Sequence, residues 1–320
     1  MSPKVAGFYH EWGRGVMGLT RLGGRIQSGP DMILITGAGG KTGQAVIKAV
    51  AARGENVRAL VHREAQASAV KALGAREAVV GDMRDEEALR RAMEGARAVY
   101  HICPNVSPEE TVIGKWAIGV ARAAGAERFV FHSVLHPQVE AMPHHWNKLR
   151  VEEALFESSL PFTVLQPTAY MQNILAGWDS IVKQGIYTVP YPVETRLSLV
   201  DLEDVAEAAA IVLTGPGHAG ATYELVGTEA MTQVEVAEAL SRQLGRPVRA
   251  EAQPIEEWER RARASGMGDY QIETLIKMFR YYEQYGLGGS PNVLGWLLRR
   301  PPTTFAAFVE RTARERNVEH

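Results

Sequence analysis

One stretch constrains this chain more than any other: residues 32–43, which read M-I-L-I-T-G-A-G-G-K-T-G. A short apolar run, too short for a helix, breaks at Gly37 into a glycine-rich turn. Behind the turn, Ala45, Val46, Ala49 and Val50 fall on one face at helical spacing. The reading is strand, tight turn, helix. Such a turn lets the backbone approach a pyrophosphate, and the helix behind it offers free N–H groups and the positive end of a dipole. Three nucleotide-binding patterns compete for it. A P-loop needs a glycine five positions before Gly40, where Ile35 stands, so that reading fails. Strict G-x-G-x-x-G, started from Gly37 and Gly39, would end on Thr42 and fails too. G-x-x-G-x-x-G over Gly37, Gly40 and Gly43 fits. Weighed against a purely structural turn, the strand before and the helix after favour a dinucleotide cradle of Gly37, Ala38, Gly39, Gly40, Lys41, Thr42 and Gly43.

The rhythm that follows supports this. Residues 57–61, 78–80, 96–102, 128–132 and 161–166 read as strands, with helical patterns between them. Asp85 caps one such helix, with Glu86 and Glu87 in its first turn, Arg90 and Arg91 in its last, and Gly95 as its stop. The expectation is an α/β, Rossmann-type doubly wound parallel sheet, with residues 32–165 as an NAD(P)-binding domain. After Gln166 the alternation loosens. Asp201 caps a helix, and Thr232-Gln-Val-Glu235 is a capping box that opens another ending at Gly245. Residues 166–315 therefore read as a smaller, mainly helical substrate lobe, with strands near 198–200 and 222–226 returning to the core. Residues 1–31 are glycine-rich and lack an apolar signal core. They read as a flexible N-terminal extension, or as a leader to a natural start at Met32.

Composition removes several function classes. Among 320 residues, 35 are basic and 37 acidic, giving a net charge of −2. No basic surplus argues for nucleic acid, and no apolar run is long enough to span a bilayer. The lone Cys103 excludes an internal disulfide and fits a reducing, cytoplasmic setting. His101, His132 and His136 lack metal-ligand spacing, so no metal is expected. Cys103 reads as a cleft-wall residue rather than a nucleophile, and Phe279, Tyr281, Tyr282 and Tyr285 as packing at helical spacing.

The end of the second strand bears on the cofactor. An NAD site places an acidic residue there for the ribose 2′-hydroxyl. This chain has Leu60-Val61-His62-Arg63, and a guanidinium suits a 2′-phosphate. NADP is favoured over NAD, with Lys41 adding to the phosphate field. Gly81-Asp82-Met83 ends the third strand where an adenine would lie. Asp82 reads equally as an acceptor for its exocyclic amine, with Met83 packing the ring, or as a helix cap. The sharpest pair is His144 and Lys148: Pro143 suits a helix start and puts them four apart on one face. Ser133 ends a strand eleven residues upstream. This arrangement resembles a short-chain dehydrogenase, in which a strand-end serine precedes Tyr-x-x-x-Lys; here histidine holds the tyrosine position.

Taken together, the glycine spacing, Arg63, His144-x-x-x-Lys148, Val151-Glu-Glu, the segment Leu160-Pro-Phe-Thr-Val-Leu-Gln-Pro with Tyr170 and Asn173, and residues 217–226 resemble the NmrA-like family of atypical short-chain dehydrogenases. The resemblance spans residues 32–310. It implies an oxidoreductase that passes hydride from NADPH to a quinone or related conjugated acceptor, or else a non-catalytic NADP-sensing regulator acting through a protein partner. It also implies that Lys148 holds the nicotinamide ribose, that His144 is a proton donor or its neighbour, and that Pro167 and Tyr170 lie under the nicotinamide. Retention of both His144 and Lys148 favours the enzyme, with a small molecule as partner. The oligomeric state is left open, a homodimer included.

Overall fold

A computed structural model describes residues 31–316; the extension read at residues 1–31 lies, except for Asp31, outside the described residues. The chain alternates β1 (Met32–Ile35), α1 (Lys41–Ala51), β2 (Asn56–Val61), α2 (Ala67–Ala72), β3 (Glu77–Val80), α3 (Glu86–Met93), β4 (Ala96–His101), α4 (Glu110–Ala123), β5 (Arg128–His132), α5 (Pro143–Phe156) and β6 (Phe162–Pro167). Then come β7 (Ala169–Tyr170), α6 (Trp178–Gln184), β8 (Ile186–Val189), β9 (Leu199–Val200), α7 (Leu202–Thr214), β10 (Ala221–Leu225), α8 (Gln233–Leu244) and β11 (Arg249–Ala252). Four helices finish the chain: α9 (Ile255–Ala264), α10 (Asp269–Tyr285), α11 (Asn292–Leu298) and α12 (Phe305–Glu315).

Seven parallel strands form the central sheet in the order β10-β6-β5-β4-β1-β2-β3. The order reverses between β1 and β4, and a doubly wound sheet opens a crevice for ligands at that point, beyond the C-terminal ends of its strands. The burial pattern follows position. Central strands β1 and β6 are buried along their whole length, as a sheet covered on both faces requires, whereas edge strands β3 and β10 are only partly covered.

Two apolar layers hold the sheet. On one face α1 lies against α7, where Val46, Ile47 and Val50 meet Val205, Ala208, Ala209 and Val212. The alanines of α7 let the two helices approach closely. On the other face α3, α4 and α5 bury Leu89, Met93, Ala117, Ala121, Val151 and Leu155. Gly114 makes the α4–α5 approach close, because a Cβ there would stand 2.5 Å from Val151 Cγ2. Although α7 and β10 come late in the chain, both serve the central sheet: β10 pairs with β6 and α7 packs with α1 on one face, whereas β9 and β7 form a separate two-stranded sheet.

The lobe has its own core, in which Met171, Trp178, Leu240, Phe305 and Phe308 pack beneath the parallel pair β8–β11. Asp201 fastens it to the sheet. Fully buried, this carboxylate caps α7 through Glu203 N–H, accepts from Gln172 Nε2 at 2.7 Å and pairs with Arg311 of α12 at 2.6 Å. The expected caps at Asp85 and Thr232 are also present.

Candidate active site

The turn after β1 has the geometry of a cradle. Gly37 sits at φ +58°, and a Cβ there would stand 2.7 Å from Ile102 Cγ2 and 2.9 Å from the Ile102 carbonyl oxygen. At Gly43 a Cβ would stand 2.5 Å from the Gly37 carbonyl oxygen. Both positions therefore exclude a side chain, one through conformation and space and the other through space alone. The Gly40 N–H donates back to the Gly37 carbonyl at 3.0 Å and closes the turn. No side chain caps α1 and no acidic residue occupies its first turn, which leaves its N-terminal N–H groups available for an anion. Ala38 and Thr42 are buried in the turn, and Lys41 is exposed at its rim.

At the end of β2, Arg63 is exposed and makes no ion pair among the described residues. Gln66 fixes its backbone, accepting the Arg63 N–H on Oε1 at 3.0 Å while its amide lies over Gly39. Sequence reading did not single out Gln66. Of the two roles foreseen for Asp82, the helix cap falls to another residue. The cap of α3 is Asp85, and both oxygens of Asp82 are taken by the Arg84 guanidinium at 2.6–3.1 Å, with His62 at 3.7 Å. The hydrogen bonds from Arg84 hold the Asp82 carboxyl down at about 2. Arg84 lies only two residues on, and its backbone N–H also donates to Asp82 Oδ1 at 2.9 Å. Met83 packs against the α3 side of the core.

Pro143 opens α5 as expected, and His144 and Lys148 follow on one face. Lys148 is buried. Its ammonium donates to Glu110 Oε1 at 2.8 Å and to the His132 carbonyl at 3.1 Å, and stands 5.3 Å from the Phe131 ring centroid. Glu110, completely buried in the first turn of α4, was not foreseen as part of the site. Burial pushes its carboxyl up while Lys148 opposes the shift. His144 Nδ1 lies 3.8 Å from the other oxygen of Glu110. Burial, with Lys148 close by, holds His144 well below the usual imidazole range. His145, one residue off that face, turns into the core and contacts the His136 carbonyl at 3.3 Å.

A second chain of contacts runs from this pair to the glycine turn. His132 Nε2 meets the Tyr170 hydroxyl at 2.7 Å, His132 Nδ1 meets the Tyr100 hydroxyl at 2.5 Å, and the Thr42 hydroxyl donates to Tyr170 at 3.4 Å. Burial and the charge of Lys148 hold His132 down at about 3, so its ring is neutral and carries one proton. One of the two tyrosine hydroxyls therefore accepts the ring proton and the other donates to the bare nitrogen. Pro167 is buried, and its carbonyl accepts the Leu135 N–H at 2.9 Å at the end of β6. Ser133 faces inward and donates to Glu152, whose carboxylate also accepts from Gln166 Nε2 at 3.0 and 3.1 Å. The Val151-Glu-Glu motif thus serves the scaffold: Val151 fits against Gly114, and Glu152 ties α5 to β5 and β6.

Helix α10 borders the site. Tyr270 accepts a hydrogen bond from Asn147 Nδ2 at 3.1 Å, and Gln271 donates to the Asn105 carbonyl at 3.1 Å, holding the loop that follows β4. Cys103 in that loop is buried, and burial pushes its thiol up, which disfavours the reactive thiolate. Among the described residues no group of three His, Cys, Asp or Glu is placed to hold a metal ion, and no helix is long and apolar enough to cross a membrane.

Comparison with known proteins agrees with this geometry. The NmrA-like family model matches residues 30–310. The chain is 30% identical to an NAD(P)H azoreductase of Xenophilus azovorans, over 88% of this chain and 98% of the azoreductase. It is 27% identical to quinone oxidoreductase 2 of Escherichia coli, over 87% and 97% respectively. A crystal structure of the Escherichia coli NADPH-dependent quinone oxidoreductase with NADPH superposes with a TM-score of 0.75 at 26% identity, over 88% of this chain and 99% of that one. The match thus runs from the glycine turn to the last helix and along almost the full length of those proteins, and the chain belongs to the NmrA-like family.

Proposed function

We propose that this protein is an NADPH-dependent reductase that delivers hydride to a quinone or a similar flat, conjugated acceptor in the cytoplasm. The observation that carries the reading is the unbroken contact from Thr42 through Tyr170 and His132 to Lys148, which ties the phosphate cradle to the reactive pair. The residues fit the cofactor. Gly37 and Gly43 let the turn fold tightly onto its own backbone and Ile102, where a Cβ at either position would clash, and the α1 N-terminus is uncapped toward an anion. Arg63 would take a 2′-phosphate, Lys148 the nicotinamide ribose, and Pro167 and Tyr170 the surface under the ring. Asp82, oriented by Arg84, would line the adenine end with acceptor lone pairs to spare for the exocyclic amine, and Met83 would pack the ring.

When bound, the nicotinamide supplies the hydride. This chain's residues orient it, keep water away and hold charge near it. Lys148 contributes a positive charge that Glu110 and the His132 carbonyl lock in place. A reduced quinone takes its proton readily, which accommodates histidine where related enzymes have a phenol. The azoreductase and quinone oxidoreductase names of the relatives support a conjugated acceptor.

Calorimetric titration with NADPH and NADH, followed by NADPH oxidation against a panel of quinones and azo compounds, tests the reading. Tighter binding of NADPH with turnover of at least one panel member is expected. Tight NADPH binding without any turnover overturns the reductase reading in favour of a cofactor-sensing protein.

A further inference from the structure

Glu110 stands in the first turn of α4, where an acidic residue ordinarily serves the helix dipole from solvent. Here it is completely buried. Its Oε1 takes the Lys148 ammonium, whereas its Oε2 has no hydrogen-bond partner. Across a 3.8 Å gap lies His144 Nδ1, also sealed from solvent and also without a partner. His144 Nε2 is neither hydrogen-bonded nor among the sealed atoms, so it alone of the two ring nitrogens reaches the open side.

Leaving a buried polar atom unpaired is costly, and with Glu110 ionised these two can satisfy each other in only one way. A proton on Nδ1 turns the pair into donor and acceptor. A proton on Nε2 instead sets an imidazole lone pair against a carboxylate lone pair across the same gap. The Lys148 ammonium, 2.8 Å from Oε1, opposes the upward pull of burial on Glu110, and with that carboxylate ionised and buried His144 neutral a single ring proton has to be placed. The charged and titratable groups facing His144 are Lys148 and His145 on α5, His132 on β5 and Glu110 on α4. Of these, only the Glu110 carboxylate is within reach of Nδ1 as an acceptor. The 3.8 Å gap exceeds hydrogen-bond length, and no acceptor is hydrogen-bonded to Nδ1 among the described residues.

We propose that Glu110 is a positioning residue that fixes His144 in its Nδ1–H tautomer and turns the Nε2 lone pair toward the cleft. His144 then meets a bound molecule as a hydrogen-bond acceptor for an O–H or N–H group. It passes a proton outward only after Nε2 has first gained one. The functional half of this inference rests on the reductase reading; the tautomer itself does not.

Nitrogen-15 correlation spectra of histidine-labelled, cofactor-free full-length protein test it, with the His144 signals assigned from His144→Gln. The expected wild-type result is a proton-bearing Nδ1 and a lone-pair Nε2. In Glu110→Gln the amide oxygen stays with Lys148 and the amide NH₂ faces Nδ1, so the tautomer is expected to invert. His145, whose Nδ1 faces a backbone carbonyl, is expected to stay unchanged and serves as the internal control. An Nε2–H tautomer in the wild type overturns the proposal whether or not the variant folds, and so does an identical His144 tautomer in both proteins. A wild-type Nδ1–H tautomer in a protein that reduces no acceptor upholds the proposal and retires the reductase reading alone.

Discussion

Buried neutral histidines should make this protein unusually sensitive to mild acid. His101, His132 and His145 are held down at about 3, 3 and 4, in each case chiefly because burial disfavours the imidazolium. In the unfolded chain each titrates near the ordinary value of 6.5. The native pKa lies below the unfolded one, so below the unfolded value the unfolded state binds more protons and stability falls as pH drops. Going from about pH 7.5 to about pH 5, each such group removes about 2 kcal/mol, and the three together about 6 kcal/mol. That is comparable with the whole stability of an ordinary domain, about 5–15 kcal/mol. His144 adds to the loss with the same sign. Glu110 and Glu152 oppose it, because burial raises their carboxyls and the native state then holds a proton more tightly than the unfolded chain. Histidines outnumber carboxylates here, so the net slope favours unfolding in acid. Urea unfolding followed by circular dichroism across this range is the assay. His101→Gln removes one titrating ring and should recover about 2 kcal/mol of the acid loss. A flat profile, or stability that rises as pH falls, would refute the assignment of these rings as neutral and buried.

Three further outcomes are expected. Gly37→Ala forces a left-handed backbone on a side chain that already overlaps Ile102, which should cost about 1–3 kcal/mol in thermal unfolding and abolish detectable NADPH binding by calorimetry. Arg63→Ala removes charge-assisted bonds worth about 1.5–3 kcal/mol, so NADPH affinity should fall about 10- to 100-fold while NADH affinity stays within about twofold. Equal losses for both cofactors would remove Arg63 from the 2′-phosphate site. Glu152→Ala leaves Ser133 and Gln166 without their shared acceptor inside the sheet, and chemical denaturation should register a loss of about 2–4 kcal/mol.

The sheet was legible from sequence because periodicity and turn chemistry are local. The run at residues 32–35, the break at Gly37 and the caps at Asp85, Asp201 and Thr232 each declare themselves within a few residues. His144 and Lys148 were legible for the same reason, as a spacing on one helix behind Pro143. Their partners were not. Glu110 looks in sequence like any acidic residue at a helix start, and only the close approach of α4 to α5 at Gly114 and Val151 carries it to Lys148. His132 reads as one histidine among several, and its link to Tyr100 and Tyr170 depends on strand register. Asp82 is not the cap of α3, a role that Asp85 takes, and its pairing with Arg84 depends on how the short loop after β3 folds. Charges that pair across elements are set by packing, which no local pattern encodes.

The most direct test of the central claim is an anaerobic mixture of wild-type protein, NADPH and a small quinone, with nicotinamide and quinone absorbance followed together. One hydroquinone formed for each NADPH consumed, at a rate proportional to protein concentration, is the predicted result. NADPH that binds but is never oxidised by any quinone in the panel would contradict it.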